Sequence, residues 1–537
     1  MADAAPLLIS SAAANCQSCI EPISDDSPKH SNGVLPSVDE AIESYIGTAG
    51  AAHILPAVLA SLVLAFDAQQ TFINVFTDAM PPWHLKNSSS ASASSSATAG
   101  GVSPCGLPPS TWSWSLAIHS STVSEWSLEC ASPAVLGLPS SSFFAGCLAG
   151  GFLFATLADS HLGRKKMLLL STLSMSIAAA LTAASPSLPA YSALRFVAGL
   201  FRSTIGTSVI VLSTELVSRR WRDRISIVGF FCFTLGFLSL PAMAYLSRGA
   251  SWRVLYLLTS LPSFLYTMLI YFFIEESPRW LLLRGRRSEA IQIIKRIACS
   301  NIIDSSFSKL TVPTHSREED ELSNDAFLAA KMLWENRWSF RRLTALMTVS
   351  FGVGMVYYGM PLNLGNLSSD LYLSVALNAM TELPSSLIVF FLVGRMNRRS
   401  STLAFTTASG VFCLACAAIR GGGKAELAAE LVAFFAACTA FGLVLIFSIE
   451  LFPTCVRNTA IAMVRQALVL GGVVAPVLVA AGRRRRVLSF GVFGLVIGCC
   501  GVFTACLPET RGRGICDTME EEECRESGAK LAIEEGR

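Results

Sequence analysis

Residues 254–274 read VLYLLTSLPSFLYTMLIYFFI, 21 consecutive positions without a charged side chain. A helix of about 20 such residues is long enough to cross the hydrocarbon core of a bilayer. Immediately after it the composition changes, and residues 275–341 are polar and rich in Lys and Arg. Before it, apolar segments recur at 53–76, 134–157, 167–185, 190–213 and 225–246. After the polar interruption six more follow, at 343–362, 371–393, 402–419, 427–450, 459–481 and 488–507. The pattern is six spans, a linker and six spans. The chain as a whole has 537 residues, 52% hydrophobic and 15% charged, with a mean hydropathy of +0.52. A soluble protein carries about 25% charged residues, so a soluble enzyme and a disordered chain are both excluded. The net charge of +3 gives no nucleic-acid footprint.

Lys and Arg concentrate in the cytosolic loops of a membrane protein. With both termini inside, the short inner loops hold Arg164, Lys165 and Lys166, then Arg219, Arg220, Arg222 and Arg224, then Arg395, Arg398 and Arg399. Only the run Arg483 to Arg486 falls on the outer side against this majority. The expected organisation is a poorly ordered cytosolic N-terminus over 1–50, without the basic start and apolar core of a signal peptide. A first half follows over 51–274, with a large outer loop at 77–132. Then come a cytosolic linker over 275–341, a second half over 342–507 and a cytosolic tail over 508–537. The outer loop holds an N-glycosylation pattern at Asn87, and a second lies at Asn366. Cys105 and Cys130 share the outer loop, where a disulfide can persist. Cys413 and Cys416 lie in an apolar helix without further ligands and are expected to pack as small hydrophobes.

Four short motifs sit at the inner ends of the expected spans. After the second comes Ala158-Asp159-Ser160-His161-Leu162-Gly163-Arg164-Lys165-Lys166. After the sixth comes Glu275-Glu276-Ser277-Pro278-Arg279-Trp280-Leu281. At the end of the tenth is Glu450-Leu451-Phe452-Pro453-Thr454 with Arg457-Asn458, and after the twelfth Leu507-Pro508-Glu509-Thr510-Arg511-Gly512. Together they resemble the motif set of the major facilitator superfamily. Ser124-Glu125-Trp126-Ser127-Leu128-Glu129-Cys130 and Glu382-Leu383-Pro384 resemble segments of its plant organic cation/carnitine transporters. The resemblance covers roughly residues 50–515. It implies an all-α membrane protein with twelve transmembrane helices in the major facilitator fold of two six-helix halves.

The resemblance also directs attention to site residues. Glu382 is an acid inside an apolar span, which is expensive and marks a functional position. It can supply charge to a cationic cargo. Tyr357 matches a cavity aromatic of the family and offers a ring face to an ammonium group. Arg465, inside the eleventh span, suits a carboxylate, and Asp67 a proton or cation. A conformational latch at the inner face is expected from Asp159, Gly163, Arg164, Glu215, Arg219, Glu450 and Arg457, with Asp159 pairing to Arg202 or Arg219. Gly199 to Gly206 looks like a phosphate loop but lacks the G-K-[ST] and lies inside a span. No catalytic triad, metal cluster or nucleotide fold is visible, so neither an enzyme nor a bound cofactor or metal is expected.

The implied function is secondary active or facilitative transport of organic cations by alternating access. Carnitine, related quaternary ammonium ions and polyamines are the expected cargo, with protons as a candidate coupling ion. The alternatives are a sugar or organic-anion carrier of the same superfamily, or a transporter-like sensor without net flux. The partners are a small cation or zwitterion and membrane lipids, in the plasma or vacuolar membrane. If Asp159 belongs to a latch away from the cargo, Asp159→Asn lowers the maximal transport rate more than substrate affinity. Uptake kinetics check this: an unchanged maximal rate with a strongly raised Michaelis constant contradicts the latch.

Overall fold

In the lipid core every backbone polar group must be satisfied within the segment, which leaves helices as the solution for apolar runs of this length. The structure, a computed structural model, describes residues 54–86, 104–154, 162–298, 319–367, 369–393, 395–419, 423–483, 485, 487–512, 514 and 516–525. Eleven helices among them are long and apolar enough to cross a membrane. In the first half these are α1 (Ile54–Thr77), α2 (Pro133–Leu153), α4 (Leu188–Glu215), α5 (Arg219–Leu246) and α6 (Trp252–Phe273). Between α2 and α4 runs α3 (Arg164–Thr182), whose basic first turn dilutes an otherwise apolar helix. The second half comprises α7 (Arg337–Asn363), α8 (Leu371–Val393), α9 (Arg398–Ala418), α10 (Lys424–Leu451), α11 (Thr454–Gly482) and α12 (Val487–Cys506).

Several helices begin earlier than hydropathy suggests. α5 starts at Arg219, α7 at Arg337 and α11 at Thr454, each about one turn or more before the apolar run. The helical hydrogen bonds continue into the interface, where long basic side chains keep their heads in water. The linker is also partly helical, with Pro278–Leu283, Arg287–Ala298 and Glu319–Glu335.

Small residues set the helix spacing within each half. A Cβ on Gly199 of α4 would collide with the Phe143 carbonyl of α2, and one on Gly146 of α2 with the Phe196 carbonyl of α4. The same reciprocal approach recurs where Gly354 of α7 meets Leu468 and Gly471 of α11 meets Phe351. Such close backbone contact is how helices associate where lipid removes the hydrophobic drive. The two halves meet along α2 with α11 and α5 with α8. Ser141 of α2 donates to the Val473 carbonyl of α11 at 2.8 Å. Leu265, Tyr271, Phe272 and Phe273 of α6 remain exposed, as a lipid-facing surface requires.

The halves repeat one device at the linker end. The backbone N–H groups of Arg164 and Lys165, at the start of α3, donate to Glu276 Oε1 at 2.9 and 3.0 Å. In the second half those of Arg398 and Arg399, at the start of α9, donate to Glu509 at 2.7 and 3.2 Å. Each carboxylate thus meets the positive end of a helix dipole and its orphan donors. Gly163 precedes α3 at φ +81°, and a Cβ there would lie 2.5 Å from Glu276 Oε2. The tail, read from the sequence as a polar extension, also docks. Glu522 accepts from Arg342 of α7 at 3.0 Å, and Thr454 of α11 bonds Asp517.

At the opposite end the loop after α1 folds into a small unit. Strands β1 (Trp83–Leu85) and β2 (Trp112–Trp114) pair antiparallel, with Trp83 opposite Trp114, and a disulfide joins Cys105 to Cys130. Glu125 moors this unit to α6, accepting from Trp252 Nε1 at 2.8 Å and from Arg253 at 2.5 Å. Trp126 packs edge-on against Tyr191 and Trp252, with centroids 5.6 Å from each. The Ser124-Glu125-Trp126 segment is therefore a docking plug. Burial raises the Glu125 carboxyl, but the bonds from Arg253 and Trp252 outweigh it and hold it below its ordinary 4.5. A lowered pKa stabilises the docked loop above about pH 4.5, a contribution lost as pH falls through the folded value. Hydrogen exchange over residues 112–130, taken relative to the intrinsic rate at each pH, is therefore expected to quicken at acid pH in the native protein. In Glu125→Gln it is already fast at neutral pH, and equal protection in both proteins at neutral pH contradicts the mooring.

Candidate functional site

Helices of both halves bring polar side chains to the seam between them, Tyr357, Glu382 and Arg465 from the second half and Thr234 from the first. Glu382 stands on α8, two residues before Pro384, and is 7% exposed. Its Oε1 accepts from the Tyr357 hydroxyl of α7 at 2.6 Å, and its Oε2 from Thr234 Oγ1 of α5 at 3.3 Å. The second bond crosses between the halves. Glu382 is in no salt bridge among the described residues, so an arginine counter-ion does not account for it. Pro384 lacks the N–H that would tie α8 together at this turn.

Tyr357 of α7 is buried. Its ring stacks on Phe441 at 4.5 Å and on Phe434 at 5.9 Å, both on α10. Its hydroxyl bonds the Glu382 carboxylate.

Asp67 of α1 is not a free ligand. Arg202 of α4 binds it two-pronged, Nε to Oδ1 at 2.7 Å and NH2 to Oδ2 at 3.1 Å. Asp159, expected as a partner of Arg202, lies outside the described residues. Asp67 is buried, 4% exposed. Beside it Gln69 donates to Ser239 at 2.8 Å and Gln70 to Thr259 at 3.0 Å. Arg195 of α4 is fully buried, donating to the Gln70 carbonyl at 2.9 Å with its guanidinium 4.1 Å from the Phe143 ring centre.

Arg465 of α11 reaches across to the first half. Its guanidinium lies 3.4 Å from where a Cβ of Gly206 on α4 would stand. It feels the charges of Asp67 and Arg202 and the Tyr358 hydroxyl, yet it forms no salt bridge among the described residues. Tyr358, 5.1 Å from Tyr357 between ring centres, packs on Phe144 of α2 at 4.7 Å. Adjacent residues of α7 thus face the acidic pole at Glu382 and the basic pole at Arg465.

The remaining candidates lie at the ends of the bundle. Glu450 binds Arg398 at 2.9 Å and Thr510 Oγ1 at 2.6 Å rather than Arg457. Arg457 instead donates to the Phe452 carbonyl at 3.2 Å. Glu215 faces Arg164 at 3.8 Å, and the side chain of Arg219 is outside the described set. These contacts tie helices within one half. A contact between halves occurs at the other end, where Arg483 donates to the Asp78 carbonyl at 2.7 Å. That gives one member of the outer arginine run a structural use. Asn87 lies outside the described residues. The Asn366 amide nitrogen donates to Asn363 at 2.6 Å and to the Val479 carbonyl at 2.9 Å, so a sugar there, which takes one of the two amide hydrogens, would have to break at least one of these bonds. Sequence reasoning gave no role to the helix-capping Glu276 and Glu509, or to Glu430, a fully buried acid on α10.

Comparison with solved structures gives the fold. The chain superposes on the inward-open conformation of the xylose transporter XylE from E. coli with a TM-score of 0.60, over 86% of this chain and 97% of that one, at 16% identity. A partially occluded inward-open conformation of XylE gives 0.56 over 88% and 100%, at 17%. At such identity the likeness shows the major facilitator fold alone. Residues 55–520 match the model of the family "Sugar (and other) transporter". Organic cation/carnitine transporters 2 and 3 of Arabidopsis thaliana are each 52% identical, over 93% of this chain and 96% of theirs. Solute carrier family 22 member 3 of Mus musculus is 31% identical over 75% of this chain and 72% of its own. The chain belongs to the Sugar (and other) transporter family and is a multi-pass integral membrane transporter.

The Asp67–Arg202 pair yields a stability test. Removing one member of a buried ion pair leaves an uncompensated charge and costs roughly 3–5 kcal/mol. Asp67→Asn and Arg202→Met are each expected to lower thermal stability in detergent strongly, and the double variant by less than their sum. Additive losses contradict a coupled pair.

Proposed function

We propose that the chain carries organic cations by alternating access, and that its preferred cargo is a zwitterion of the carnitine type. The observation that carries this reading is the pair of unmatched poles. Among the described residues Glu382 has only hydroxyl partners and Arg465 has no salt-bridge partner. A charge left without its opposite in a membrane interior is costly, and a cargo bearing both charges would satisfy each pole. The ammonium end belongs at Glu382, which Tyr357 and Thr234 hold in place, and the carboxylate end at Arg465, whose fork suits a carboxylate. Two supports come from outside the geometry: the relatives at 52% identity are named organic cation/carnitine transporters, and the seam where both poles lie is where such folds place their cargo.

The two halves of the fold rock about a site of this kind. The bracing of each half by Glu276, Glu509 and the Arg398–Glu450 bridge suits movement as rigid bodies. Contacts that cross the seam, Thr234 to Glu382 among them, are the ones such rocking would make and break.

Uptake of labelled carnitine, choline and hexose, normalised to protein in the membrane and run at two external pH values, tests the reading. Losing a charge-assisted hydrogen bond costs roughly 1.5–3 kcal/mol, about ten- to a hundredfold in affinity. Glu382→Gln is expected to weaken both cations by that factor. Arg465→Ala is expected to weaken carnitine and spare choline, which has no carboxylate. Full cation uptake by well-expressed Glu382→Gln, or hexose uptake in place of both cations, overturns the assignment.

A further inference from the structure

One buried acid is used by neither the cargo poles nor the bracing contacts. Glu430 of α10 and Asn378 of α8 are both fully buried. Asn378 Nδ2 donates to Glu430 Oε1 at 2.7 Å. The other atom of each group, Glu430 Oε2 and Asn378 Oδ1, is buried without a hydrogen-bond partner. Both orphans are acceptors when Glu430 is ionised, so neither can satisfy the other. A single proton on Glu430 changes that. The acid then donates from Oε2 to the amide oxygen while the amide donates back to Oε1, and one proton satisfies both orphans.

The surroundings favour the neutral form. Neither Lys nor Arg is paired with Glu430 among the described residues. The titratable groups that interact with it are thiols, Cys413 of α9 and Cys438 of α10. From α8, Glu382 acts on the same Cys438. From α7, Tyr357 stacks on Phe434, one turn along α10. Glu426, one turn back on α10, is itself buried. An unpaired carboxylate among these groups would meet a low dielectric and no counter-charge.

We propose that Glu430 and Asn378 form a proton-binding site, an acid–amide pair in which Glu430 is a neutral carboxylic acid. Asn378 and Glu382 stand four residues apart on α8, so the proton bears on the helix that carries the acidic cargo pole. The proposal rests on the acid–amide geometry and stands or falls without the cargo assignment.

Difference infrared spectroscopy of the full chain in lipid, without cargo, tests it. The carbonyl stretch of a protonated carboxylic acid is expected at neutral pH and to bleach as pH is raised. That component should vanish in Glu430→Gln and persist in Glu382→Gln. Gln keeps the shape and can make the same two bonds with Asn378, so Glu430→Gln is expected to fold. Asn378→Ala should shift the band's frequency, because the acid loses its amide partner. A spectrum unchanged by Glu430→Gln, or one with no protonated acid in the native protein at neutral pH, overturns the proposal. So does a band whose frequency ignores Asn378→Ala.

Discussion

Placing a charge in the apolar middle of a membrane protein is the expense around which this bundle is organised. Most of its buried ionic groups have met that expense locally. Arg202 closes on Asp67 with two parallel bonds. Arg195 lies over the Phe143 ring and donates to the Gln70 carbonyl of α1. Arg342 reaches Glu522 of the tail. Glu382 and Arg465, like Glu430, are in no salt bridge among the described residues. The placement of Glu382 and Arg465 on the seam between halves, rather than inside one half, makes that incompleteness meaningful. A counter-charge can arrive there from outside and leave again.

The same seam separates two kinds of polar contact. Contacts within a half are strong and carboxylate-based: Glu276 on the start of α3, Glu509 on the start of α9, Glu450 on Arg398. Contacts between halves are fewer in charge and more exchangeable, such as Ser141 to a carbonyl, Thr234 to Glu382 and Arg483 to a carbonyl. A device that moves two rigid bodies about a central ligand requires this division, with ion pairs inside the bodies and neutral or singly charged bonds across the joint.

Much of this was legible in the sequence. The apolar runs gave the helices because a bilayer leaves the backbone few alternatives, and the acids of the Glu276-Ser277-Pro278-Arg279 and Pro508-Glu509-Thr510-Arg511 motifs marked the ends of the halves. What the sequence did not convey was partnership. Glu450 stands close to Arg457 in the chain, yet it bonds Arg398, 52 positions away, across to the next helix. Tyr357 carries the residue type that suits an ammonium ion, and nothing in the chain order says that Phe434 and Phe441, two turns apart on another helix, stack against its ring. Asp67 looked free until α4 brought Arg202 against it. Glu430 gave one signal, an acid some turns inside an apolar helix, and the proximity of Lys424 and Glu426 in the same helix made it resemble a polar helix end. Asn366 matched a three-residue pattern that says nothing of whether its amide nitrogen is engaged.

The account turns on whether one cargo molecule joins the two poles. A structure of the protein with carnitine bound measures this directly. The account predicts the ammonium end beside Glu382 and the carboxylate within hydrogen-bond distance, about 3 Å, of the Arg465 guanidinium. A carnitine bound away from both side chains, or Arg465 closed on a protein carboxylate while carnitine occupies the seam, would contradict it.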